Sequence, residues 1–355
     1  MERGKKRIAL VTLSIILATA LPAWGRSPRS ARIREDLTLP SVTGLSTRHS
    51  QITRVQTVRQ SDGPAPTRQT GRGGVSTDLD WFVADPEALS AASALLMDAD
   101  TGAVLFARYP TERRSPASTT KIMTALLILE EGRLDDQVVI SERAAAVSGT
   151  GLGLRRGERI MLRDLLWAIL LKSANDAALA AAEHVGGSEA RFVTQMNAKA
   201  AALGMQGTWF ANPHGLDDPD HYSTAYDLAI LTRQALRNPT FARMVQTREV
   251  RIAILTGRRG NVVKRRVIRT HNQLLGQFVG ADGVKTGYTS SAGRCLVASA
   301  TRGERQLIAV LLNDVRRWSE AVALLEYGFA ALGGGGSGLG VSDGGAADMP
   351  KGEGG

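Results

Sequence analysis

Cysteine occurs once in this 355-residue chain, as Cys295, which excludes an intramolecular disulfide and a cysteine-built metal cage. Its neighbours Leu296, Val297 and Ala298 are apolar, so the thiol is expected to serve as a small core group. The five histidines, His49, His184, His214, His221 and His271, form no His-x-x-x-His pair. Metal catalysis therefore lacks its usual ligand spacing, and neither a metal nor a cofactor is expected. Lysine is also scarce, at 8 residues against 36 arginines. Arginine cannot release its proton in a protein, whereas a buried lysine can. A chain that otherwise favours arginine is expected to keep lysine where a removable proton is useful.

The net charge of +10 suggests nucleic acid until it is divided along the chain. Residues 1–77 hold 13 Lys/Arg and 4 Asp/Glu, while the remainder holds 31 and 30. The folded part is thus nearly neutral, and nucleic-acid binding loses its main support. Arg3, Lys5, Lys6 and Arg7 precede an apolar run from Ile8 to Trp24, and Ala23-Trp24-Gly25 offers small residues for cleavage. That pattern predicts an export signal over 1–25, with delivery to the periplasm or the outer face of the cytoplasmic membrane. An uncleaved anchor is the alternative. Residues 26–79, rich in Ser, Thr, Arg, Pro and Gly, read as a disordered basic linker. Its ordinary role is that of a solvated spacer, with weak contact to anionic envelope polymers or lipid as the other reading. A glycine-dense tail occupies 333–355, which leaves one folded domain over 80–332.

Within that domain, apolar runs at 94–98 and 103–107 flank Asp98-Ala99-Asp100-Thr101-Gly102, a hairpin pattern. Helical spacing covers Thr119 to Glu131, and further helical stretches continue to about 246. Strand-like segments follow at 248–256, 263–270, 282–286, 294–300 and 306–312, and a last helix fits Trp318 to Ala331. The order predicts an α+β fold, an antiparallel β-sheet flanked by helices with a helical subdomain.

Three short strings carry the chemistry. In Ser118-Thr119-Thr120-Lys121, the lysine lies one helical turn beyond the serine on the same face. Neutral Lys121 could take the proton while Ser118 attacks a carbonyl. The ordinary reading makes Ser118 a helix cap and Lys121 a surface residue. Lys285-Thr286-Gly287 could hold a carboxylate and, as a second cation, lower the Lys121 pKa; the ordinary reading is an exposed strand lysine. Ser173-Ala174-Asn175 could relay a proton and hold substrate, but means little alone. Together and in this order, the three are the parts of a serine acyl-transferase acting on D-alanyl peptides or β-lactams. His214, in Asn212-Pro213-His214-Gly215-Leu216, reads as structural.

Over about 92–330 the chain resembles the serine D-alanyl-D-alanine carboxypeptidases, the low-molecular-mass penicillin-binding proteins. The resemblance rests on Met97 to Gly102, Pro116 to Lys121, Lys172 to Ala178, Asn212 to Leu216, Ser223 to Leu228 and Gly283 to Thr289, and on Leu324 to Phe329. It implies a β-lactamase/transpeptidase-like fold and removal of the terminal D-alanine from peptidoglycan stem pentapeptides, with β-lactams such as penicillin as inhibitors. By the same analogy Ser118 is the acylated nucleophile, Lys121 the base, and Ser173 and Asn175 the relay and substrate holder. Lys285 and Thr286 anchor the substrate, and the N–H groups of Ser118 and Tyr288 form the oxyanion hole. The carboxylate-binding arginine falls on Arg317, with Arg316 as the neighbouring alternative. Relatives that cut cross-links share the pattern, so D,D-endopeptidase activity stays open. A β-lactamase fits less well, because no Glu-x-x-Leu-Asn string follows Asn175. A non-catalytic wall-binding protein would be expected to have lost Ser118, Lys121 or Lys285. The family's second, β-rich domain and its amphipathic helix are expected to be absent.

Overall fold

The structure is a computed structural model that describes residues 89–256 and 262–333. The predicted export signal, the basic linker, the first residues of the expected domain (80–88) and the tail from 334 onward lie outside the described residues. In chain order the elements begin with β1 (Ser93–Asp98), β2 (Val104–Arg108), α1 (Lys121–Glu131), β3 (Gln137–Val139), α2 (Glu142–Ala146), β4 (Arg159–Met161) and α3 (Leu162–Trp167). Helices α4 (Asn175–Gly186), α5 (Glu189–Ala202), α6 (Ala225–Leu236) and α7 (Pro239–Val245) follow. The chain continues through β5 (Glu249–Thr256), β6 (Val262–Arg269), β7 (Ala281–Thr289), β8 (Gly293–Arg302), β9 (Arg305–Leu312) and α8 (Arg317–Gly333).

The predicted hairpin is formed by β1 and β2. Its turn is held by Asp98 Oδ1, which accepts from the N–H groups of Asp100 at 3.0 Å and Thr101 at 2.8 Å. The main sheet has the order β2-β1-β9-β8-β7 and is antiparallel throughout. Leu95, Met97, Val297, Ile308 and Val310 pack on the helical side, while Leu96, Leu296, Ala298, Leu307 and Leu311 pack on the α8 side with Leu324 and Leu325. A sheet covered on both faces needs apolar residues at consecutive positions, which is why these strands read as unbroken apolar runs.

Helix α1 is buried on every side from Lys121 to Ile128, as befits the central helix of an all-helical layer. It starts two residues later than the sequence spacing predicts, because Ala117–Thr120 forms a tighter 3-10 turn ahead of it. A larger difference concerns β5 and β6. The sequence reading grouped them with the later strands, yet they pair with β3 and β4 in a separate four-stranded sheet. Strands β3 and β4 have three residues each, too few for an alternating pattern to register. Arg251 and Arg265 are exposed in β5 and β6, in contrast to the apolar strands of the main sheet.

Candidate active site

A cavity of about 220 Å³ is lined by Ser118, Thr150, Ser173, His271, Thr286, Gly287, Tyr288 and Arg317. Five of the eight residues singled out from the sequence thus face one space. The other three, Lys121, Asn175 and Lys285, are buried.

Ser118 sits in the 3-10 turn, where three residues per turn eclipse positions i and i+3. Lys121 Nζ accordingly lies 3.0 Å from Ser118 Oγ. Its other two partners are Asn175 Oδ1, at 2.7 Å, and the His214 carbonyl, at 2.5 Å. Both can only accept. Asn175 is oriented in turn, since its Nδ2 donates to the Ser148 carbonyl at 2.8 Å and its N–H to the Thr150 carbonyl at 2.7 Å. Ser173 precedes α4 in a left-handed conformation, φ +62°, which turns the chain out of the π-helical segment Ala168–Lys172.

Three stretches of main chain meet at Ser118. Ala117 has φ +48°, an uncommon conformation for a residue with a Cβ. A Cβ on Gly287 would stand 3.1 Å from Ala117 Cβ and 3.2 Å from Ser118 N, so the glycine lets β7 lie against the turn. Gly215 is tighter still: a Cβ there would meet the Ala117 carbonyl oxygen at 2.0 Å. Asn212 shapes that loop, accepting through Oδ1 from the Gly215 N–H at 2.7 Å. Thr124 Oγ1 pins it to α1 by donating to the Pro213 carbonyl at 2.6 Å.

Burial pushes the Lys121 ammonium well below its usual range, and the Lys285 charge pushes it further, against a weaker opposing pull from Asp176. Lys285 is lowered to about 7, by burial and then by Arg317. Burial likewise holds His214 near 3 and His221 near 4, so both rings are neutral. His221 Nδ1 accepts from the Ala211 N–H at 3.1 Å. The ring proton is then on Nε2, directed at Thr120 Oγ1 2.8 Å away. Among the described residues the hydrogen-bond partner of Ser118 Oγ is Lys121 and not a histidine.

The two candidate arginines part company. Arg316 Nε donates to Glu320 Oε1 at 2.9 Å. Arg317 lines the cavity, where Nη1 donates to the Gly287 carbonyl at 2.9 Å and the guanidinium lies 4.9 Å from the Trp318 ring centre. Its Nε is buried and has no hydrogen-bond partner among the described residues. Cys295 is buried, with its thiol pushed up to about 11 by that burial.

The sequence reading assigned nothing to Thr150 or His271, which are isolated in sequence. It gave His214 a structural role but could not show that its carbonyl meets Lys121. Asp176 was legible only as the residue after Asn175. Its carboxylate accepts from the N–H groups of Leu152 at 2.9 Å and Leu154 at 3.0 Å, fastening the loop that carries Thr150.

A family model described as D-alanyl-D-alanine carboxypeptidase matches residues 81–316. The chain belongs to that family. This carboxypeptidase-family chain is 39% identical over 248 residues to the D-alanyl-D-alanine carboxypeptidase DacF of Bacillus subtilis, covering 68% of this chain and 62% of the relative. It is 35% identical to DacD of Escherichia coli, over 70% of this chain and 65% of the relative. The chain therefore spans somewhat under two thirds of these curated relatives. The crystal structure of a Streptomyces DD-transpeptidase superposes with a TM-score of 0.65 at 32% identity, covering 68% of this chain and 98% of that one. A Mycobacterium tuberculosis D-alanyl-D-alanine carboxypeptidase gives 0.63 at 33% identity, covering 68% and 91%. The transpeptidase-like α+β fold is thereby shared.

The backbone meeting at Ala117 can be tested at Gly215. Gly215→Ala combines a positive φ of +79° with the clash, whereas Gly153→Ala, at φ +64°, meets nothing within 4 Å. The control should lose about 1 kcal/mol. The Gly215 variant should lose at least about 3 kcal/mol in urea denaturation. Equal losses would show that the close approach is not required.

Proposed function

We propose that the protein is an exported serine D,D-carboxypeptidase that removes the terminal D-alanine of peptidoglycan stem pentapeptides through an acyl-enzyme on Ser118, and that penicillins inhibit it by forming the same kind of adduct. The observation that carries this reading is Lys121: fully buried, 3.0 Å from Ser118 Oγ and, among the described residues, without a carboxylate hydrogen-bonded to its amine. A neutral amine in that position has two N–H bonds for Asn175 and His214 and one lone pair for the Ser118 hydroxyl. Family membership and the described cavity support the substrate class.

In the proposed reaction Ser118 Oγ bonds to the carbonyl carbon between the two D-alanines while Lys121 takes its proton. The negative oxygen is held by the N–H groups of Ser118 and Tyr288. The C–N bond then breaks, and the proton passes from Lys121, through the Ser173 hydroxyl, to the departing D-alanine amine. Water, deprotonated by the same route, releases the shortened peptide and restores Ser118. Asn175 holds Lys121, while Lys285 keeps the field positive and, with Thr286 and Arg317, receives the terminal carboxylate. Export rests on the basic and apolar pattern of residues 1–25, which would place the enzyme in the periplasm or on the outer face of the cytoplasmic membrane, beside its polymer. The basic linker would contact anionic envelope polymers or lipid weakly.

Labelled penicillin should add its mass to the wild-type protein and not to Ser118→Ala. Lys121→Arg retains the charge but not the removable proton, and its acylation should fall by about 10²–10⁴. Intact-mass spectrometry over time reads both variants, and near-normal acylation of the arginine variant would assign the base elsewhere.

The pH profile follows from the two lysines. Lys121 works as the neutral amine, so kcat/KM should rise with pH through its lowered pKa. Lys285 works as the cation, so kcat/KM for a free carboxylate terminus should fall as pH passes about 7. The limbs belong to an interacting pair. Lys285→Arg should abolish the falling limb and keep the rising one; a falling limb that survives would exclude Lys285 as its origin.

Arg317 is tested by substrate chemistry. Arg317→Ala should lower kcat/KM roughly ten- to a hundred-fold on a free D-Ala-D-Ala terminus, the worth of one charge-assisted hydrogen bond at about 1.5–3 kcal/mol. Substrates amidated at that carboxylate should be spared. Equal loss on both would move the carboxylate site away from Arg317.

A further inference from the structure

We propose that a second cavity, which shares His271 with the first, binds the leaving strand of a cross-linked peptide, with Arg248 pairing a carboxylate on that strand. This rests on the carboxypeptidase reading above. The second cavity measures about 410 Å³ and shares His271 with the catalytic one. Its walls include Arg248, Arg269, Thr270, Asn272, Gln273 and Gln277.

Direction along β7 decides which part of a substrate can reach it. If the scissile carbonyl sits at the Tyr288 N–H and the carboxylate at Thr286 and Arg317, the substrate runs from the Thr289 end of β7 toward its Lys285 end. β7 is an edge strand of its sheet, so an extended peptide can lie along it. The leaving residue then ends beside His271, whose ring feels the charges of Lys285 and Arg317. Whatever extends beyond the leaving residue enters the second cavity. A single departing alanine has no use for it. A cross-linked substrate does: there the departing amine belongs to a residue that carries its own carboxylate, for the Arg317 position, and a further peptide.

The charge of the second cavity fits such a strand. Arg269 Nε donates to Glu249 Oε2 at 2.7 Å, so that pair is neutralised. No hydrogen bond or ion pair engages the Arg248 guanidinium among the described residues. It lies against Gly276, where a Cβ would come within 2.9 Å of Nη1. The glycine provides a bed that keeps this cation at the cavity wall. Asn272 ties the wall to β7, donating through Nδ2 to the Gly283 carbonyl at 2.9 Å. A free cation beside hydrogen-bonding side chains suits an anionic peptide.

The covalent chemistry is unchanged. Ser118 Oγ bonds to the donor carbonyl carbon, the amide C–N bond breaks, and the proton goes to the amine of the leaving strand. Water then hydrolyses the ester, so the outcome is cleavage of the cross-link.

The test compares a monomeric pentapeptide with a cross-linked muropeptide dimer, using the full chain and chromatography with mass spectrometry. Wild type should process both. Arg248→Ala should lower kcat/KM on the dimer about three- to ten-fold, Arg248→Glu should lower it further, and release of D-alanine from the pentapeptide should not change. On a dimer whose leaving-strand side carboxylates are amidated, the Arg248→Ala effect should vanish. An intact dimer while the pentapeptide is trimmed would overturn the inference, as would equal losses on both substrates or no loss on either. If neither substrate is processed and penicillin does not acylate Ser118, the carboxypeptidase reading itself fails.

Discussion

The approach of three main-chain segments at Ala117 sets the position of everything else in the cavity. The turn before α1 carries Ser118, the Asn212–Leu216 loop carries the His214 carbonyl, and β7 carries Thr286, Gly287 and Tyr288. These come from distant parts of the chain and touch where side chains are smallest. The loop could not approach Ser118 this closely with a Cβ at Gly215, and a Cβ at Gly287 would strain the fit of the strand. The same contacts join the helical layer to the sheet, so the cleft is also the junction of the two halves of the core.

Electrostatics follow from that geometry. Lys121 and Lys285 are both buried. Among the described residues neither makes a salt bridge to a carboxylate, and their partners are hydroxyl, amide and carbonyl oxygens. Oxygens of this kind satisfy N–H groups but supply no full counter-charge; the Lys285 charge raises the cost of charging Lys121, and the Arg317 charge that of charging Lys285. Asp176, the nearby acid, spends its carboxylate on the N–H groups of Leu152, Leu154 and Ala177. The site is thereby short of negative charge, which suits a substrate that brings a carboxylate of its own.

Much of this was legible in the sequence where local rules decide. The hairpin, the long strands and α8 follow from apolar spacing and turn residues. The three strings mark side chains that a single cavity gathers. What could not be read depends on contacts between distant residues. Strands β3 and β4 are too short to show alternation, and the pairing of β4 with β5 that ties them to the rest of their sheet joins residues more than ninety positions apart. Thr150 and His271 carry no motif, and the role of the His214 carbonyl belongs to the backbone. Arg317 and Arg316 are indistinguishable by pattern, yet a neighbouring Glu320 occupies one and the cavity receives the other.

The two buried lysines also bear on how firmly the domain is folded. A lysine whose folded pKa lies below the unfolded value of about 10.4 binds its proton more tightly once the chain unfolds. Each therefore weakens the fold at every pH below that value, most strongly once the pH is below its own folded pKa, and for Lys285 that is about 7. The penalty fades only as the pH rises from there toward the unfolded value. At neutral pH these two lysines of the cleft are thus among the groups that favour unfolding. A methionine at either position would fill similar space without a charge to bury, and the resulting chain would be harder to melt.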